Sequence, residues 1–90
     1  MAKYTVDHTG GAYAGAGPRD VDYSVLSVHR TETAALKATL RAHHEMKRAC
    51  GQNGWSNHFR AVIDGRVMSP TDCRYRLIDL GIYGLDGVTL

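Results

Sequence analysis

The chain has 90 residues, 43% hydrophobic and 22% charged, with eleven Lys and Arg against nine Asp and Glu for a net charge of +2. That length and balance fit a single domain over residues 1–90 and exclude a chain disordered throughout, a collagen-like repeat and a coiled coil. No apolar run approaches the ~18 residues a bilayer span requires, and two cysteines, Cys50 and Cys73, are too few for a disulfide scaffold.

The N-terminal residues alternate, with Tyr4, Val6 and His8 on one side and Lys3, Thr5 and Asp7 on the other, which predicts a half-buried strand over 3–8. They lack the apolar stretch of a signal peptide, so the expected setting is the cytoplasm, with both thiols free in a reducing compartment. Gly10 to Pro18 follows, four glycines and a proline in nine residues, and reads as a mobile loop that displays Tyr13. Val21 to Arg30 is rich in β-branched and aromatic residues on both faces, which predicts a second strand in the centre of its sheet.

Glu32 to Cys50 is the longest periodic segment and contains neither glycine nor proline. Thr31 or Thr33 caps its start, Glu32 suits the positive end of the helix dipole, Lys47 and Arg48 suit the negative end, and Gly51 is the expected C′ residue. Ala35, Leu36, Thr39, Leu40, His43, Met46 and Cys50 recur at three- and four-residue steps as the stripe that meets the sheet, with His43 semi-buried.

Gln52-Asn53-Gly54 is a turn. Phe59 to Ile63, Asp64-Gly65 and Arg66 to Ser69 predict a hairpin, because Asp-Gly supplies the positive φ angles of a type I′ turn. Phe59, Ala61, Ile63 and Met68 then share the core face, with Arg60, Val62, Val67 and Ser69 on the other. Ser69-Pro70-Thr71-Asp72 starts a second helix, with Ser69 as N-cap, an apolar edge of Cys73, Leu77 and Leu80, and Gly81 as terminator. The tail 82–90 adds a short strand or wraps the core. The order β-β-α-β-β-α gives an α+β domain, an antiparallel sheet with both helices on one face.

Most catalytic chemistry fails on spacing. Gly10 and Gly15 have the separation of a phosphate loop, but Ala16 and Gly17 stand where Lys and Ser or Thr are needed, and Asp20 breaks the dinucleotide pattern. His44-Glu45 begins a zinc-protease motif, yet Arg48 occupies the second histidine position. No nucleophile elbow or paired carboxylates are found, so no enzyme activity, cofactor or metal is expected.

The charges are uneven. Residues 29–66 carry seven basic groups against three acidic ones, a local excess of +4. Lys37, Arg41, His44 and Arg48 fall at i, i+4, i+7 and i+11 of the long helix, one continuous row flanked by Lys47 and interrupted by Glu45. Trp55 and Arg60, with Phe59 and His58 nearby, add an aromatic and basic cluster. Such surfaces meet acidic proteins or phosphates. The expectation is a small non-enzymatic binding protein that occupies a surface of a larger protein or nucleoprotein, through Lys37, Arg41, His44, Arg48, Trp55, Arg60 and Tyr13. Proteins of this size and type are common among phage accessory proteins, anti-CRISPR inhibitors of host defence complexes included. The alternatives are direct nucleic-acid binding through the same helix and self-association as a homodimer.

Overall fold

A computed structural model describes residues 3–9, 23–50 and 58–83. Four strands and two helices follow the expected order: β1 (Tyr4–His8), β2 (Ser24–His29), α1 (Glu32–Cys50), β3 (Phe59–Ile63), β4 (Arg66–Met68) and α2 (Pro70–Asp79). All pairings are antiparallel and the strands run β2-β1-β3-β4 across the sheet. Both helices pack on one face, as an α+β domain of this order requires.

The core lies between the helices and that face. Ala35, Leu36 and Leu40 of α1 meet Ala61 and Ile63 of β3, Met68 of β4, and Cys73 and Leu77 of α2. Val6, opposite Ala61 across the sheet, is 1% exposed. Phe59 and Met46 are only half-buried. His43 is fully buried, where the helical stripe predicted a semi-buried ring.

The local signals explain the β3–β4–α2 run. Asp64 and Gly65 adopt φ of 51° and 83°, the paired positive angles of the type I′ turn. Ser69 Oγ accepts from the Asp72 amide, and the Asp72 carboxylate accepts from the Ser69 amide, closing a capping box. At the other end Gly81, φ 75°, donates to the Ile78 carbonyl while Ile82 donates to that of Leu77, a Schellman arrangement. Ile82 then packs against the core. Leu80, expected on the apolar edge of α2, is instead the C-cap residue and 40% exposed, because the helix ends beneath it.

The strand order corrects the reading of β1 and β2. β1 is central: Thr5, Val6 and Asp7 are all buried, and the strand is bonded on both edges. Its alternation predicted a half-buried strand because Thr5 and Asp7 are polar, but they satisfy each other, Thr5 Oγ1 donating to Asp7 Oδ1 at 3.0 Å. β2, expected at the centre for its apolar content, lies at the sheet edge with Val25, Leu26 and Val28 exposed.

Candidate functional site

The side of α1 away from the sheet is fixed by the side that meets it. Ala35, Leu36, Thr39, Leu40 and His43 are buried, and Thr39 Oγ1 donates to the Ala35 carbonyl so that no hydroxyl is stranded in the core. The 3.6-residue period therefore turns Arg41, His44 and Arg48 outward, where all three are exposed, with Lys37 and Lys47 half-exposed beside them. From Lys37 to Arg48 the row spans about 16 Å of helix.

Among the described residues no ion pair neutralises Lys37, Arg41 or Arg48; ion pairs join Arg60 to Asp7 and Arg76 to Glu32 instead. Glu45 is exposed and lies one turn from both Arg41 and Arg48 without forming an ion pair with either. His44 contributes differently. Partial burial, then the positive charges of Lys47 and Arg48, hold its pKa below the ordinary histidine value, so at neutral pH it is a polar ring between cations. The row thus offers three permanent charges, Lys37, Arg41 and Arg48, where the spacing suggested four cationic members.

Beneath the row, the His43 ring meets that of His44 edge-on with centroids 5.4 Å apart. Burial, followed by the charges of His44, Lys47 and His58, lowers the His43 pKa to about 4. It is a neutral core residue at physiological pH.

Arg60 does not belong to this surface. It lies on the sheet face opposite the helices, across from Asp7, and its Nε donates to Asp7 Oδ2 at 3.1 Å. Its side chain is only 18% exposed, and its guanidinium carbon sits 4.1 Å from the centre of the Tyr23 ring. Arg60 is thus engaged within the fold, on the sheet face away from the α1 row. Tyr13 and Trp55 lie outside the described residues.

Sequence reasoning missed both of these partners of Arg60, since Asp7 is 53 residues away, and it missed the clasp between the helices, where Arg76 Nε donates to Glu32 Oε1 at 2.7 Å. Two shallow grooves of about 420 and 340 Å³ flank that clasp and share Arg66 and Arg76, but Asp72 and Asp79 in one and Glu32 and Asp64 in the other balance their charge. Among the described residues, no group of three or more His, Cys, Asp or Glu is arranged to hold a metal ion, and no helix is long and apolar enough to cross a membrane.

Compared with protein-family models, curated proteins and solved structures, the chain matches none.

Proposed function

We propose that this protein is a non-enzymatic binding module whose α1 row docks on an acidic surface of a larger protein or nucleoprotein and blocks what it covers. The observation that carries the reading is the absence of any ion pair from Lys37, Arg41 and Arg48 to another described residue, on an exposed face of a helix anchored through its other side. Cations left uncompensated on a rigid element steer an anionic partner and fix its register. Glu45, set between Arg41 and Arg48, favours a protein partner: a carboxylate repels a phosphate row but pairs with a basic side chain on a mixed protein surface.

The test is fluorescence anisotropy against a glutamate-rich peptide carrying scattered lysines and against a 20-bp duplex DNA, over a salt series. Peptide binding that the R41E/R48E variant abolishes supports the reading. Duplex binding in preference to the peptide, with log K falling against log salt at a slope of about −2.7 for three neutralised phosphates, replaces it with nucleic-acid recognition. Both arginines are exposed, so the variant keeps its circular dichroism spectrum and unfolding midpoint.

A further inference from the structure

We infer that β2 is the interface of a two-fold homodimer, in which two copies pair antiparallel through this strand into one eight-stranded sheet. The inference is independent of the α1 reading.

Among the described residues β2 pairs only with β1, and no described segment bonds its other edge. Natural edge strands are usually protected by charge or proline. β2 has neither: its residues are Ser24, Val25, Leu26, Ser27, Val28 and His29. Val25 is 60% exposed, Leu26 49% and Val28 62%.

The register against β1 explains what those side chains fit. Val28 stands opposite Thr5 and Val25 opposite Asp7, with Leu26 as the extra residue of a bulge between them. Thr5 and Asp7 are two apart on β1 and share a face, so the bulge brings Val25 and Val28 to the same face, although three residues separate them. Ser24, opposite His8, and His29, opposite Tyr4, both belong to the helix-bearing face.

A second copy meets this pattern in one register. Antiparallel pairing that uses all six residues sets Val25 against Val28 of the other copy, Ser24 against His29, and Leu26 against Ser27. Valine then faces valine twice on the open side, and Ser24 faces His29 twice on the helix side, so each of these pairs keeps its face. Shifting by one residue in either direction would set at least one open-face valine against a helix-face serine or histidine. The strand is self-complementary, as an isologous interface demands. On the open side the valine pairs continue the row of Val28, Thr5, Val62 and Val67 that already crosses each sheet. The two-fold axis stands perpendicular to the sheet, which leaves both α1 helices on the same side of the dimer.

Six paired residues per copy bury well under the ~1,600 Å² of a standard interface, so the dimer is expected in the micromolar range. Sedimentation velocity on the full chain from about 1 to 300 μM should show a concentration-dependent shift from monomer to dimer. V25K alone and V28E alone should each raise the dimer dissociation constant at least about tenfold. The V25K/V28E double variant places the introduced lysine of each copy opposite the introduced glutamate of the other and should recover most of the loss. Circular dichroism confirms that each variant folds, as expected for such exposed positions. A monomer throughout the concentration range, or a dimer that both single variants leave intact, overturns the proposal. A double variant no better than the worse single one overturns the register.

Discussion

Asp7 and Arg60 face each other across the β1–β3 ladder, and the carboxylate that receives the Arg60 Nε also takes the Thr5 hydroxyl. The carboxylate is held in a position only 6% exposed, on the face that carries no helix. Removing one partner strands the other, so D7A or R60A should each cost about 2–3 kcal/mol in urea unfolding. The D7A/R60A double variant should cost clearly less than the two combined, because neither charge is then left alone. Additive losses would show that the pair contributes no coupling.

His43 makes stability depend on pH in a defined direction. Its ring is held neutral down to about pH 4, whereas the unfolded chain protonates it near 6.5. Between those values the unfolded state binds the extra proton, so stability falls as pH drops from about 6.5 and levels off below about 4. The loss amounts to at most about 3 kcal/mol. Urea midpoints measured from pH 7.5 to 4 should show this slope, and H43L should flatten it whatever it does to absolute stability. The charges of His44 and Lys47 act in the same direction as burial, and H44Q should remove part of the slope.

These two sites show what a linear reading can reach. The helix over 32–50, the Asp64-Gly65 turn and the Ser69 cap were legible because each is set by residues within a few positions of one another. The cationic row was legible for the same reason. The edge position of β2 was not, because apolar content does not distinguish a central strand from an exposed edge. Polar Thr5 and Asp7 concealed a buried strand, and Arg60 looked available because its acceptor lies on the first strand.

Cys73 is fully buried and unpaired with another cysteine. Desolvation, reinforced by the charge of Asp72, pushes its thiol up to about 12, so no appreciable thiolate exists at pH 8. In a C50S background the native protein should react with Ellman's reagent at least about a hundredfold more slowly than the same chain in urea. Equal rates would place Cys73 in a segment that opens freely.

The two ends of α2 should respond differently to alanine. S69A removes the acceptor for the Asp72 amide and should cost about 1 kcal/mol. G81A meets no atom within 4 Å, yet φ of 75° disfavours any L side chain, so about 1 kcal/mol should be lost without a clash. Unfolding midpoints check both, and an unchanged G81A would mean that the chain reverses without that dihedral.

The placement of β1 between β2 and β3 bears on how the chain is made. Of the four described strands β1 is made before the others, and it can be seated on both sides only after residue 63 has left the ribosome, because its second neighbour is β3. Until then Val6 has no Ala61 to cover it. A deletion of the opening eight residues would leave a lone strand beside a hairpin instead of a shorter sheet.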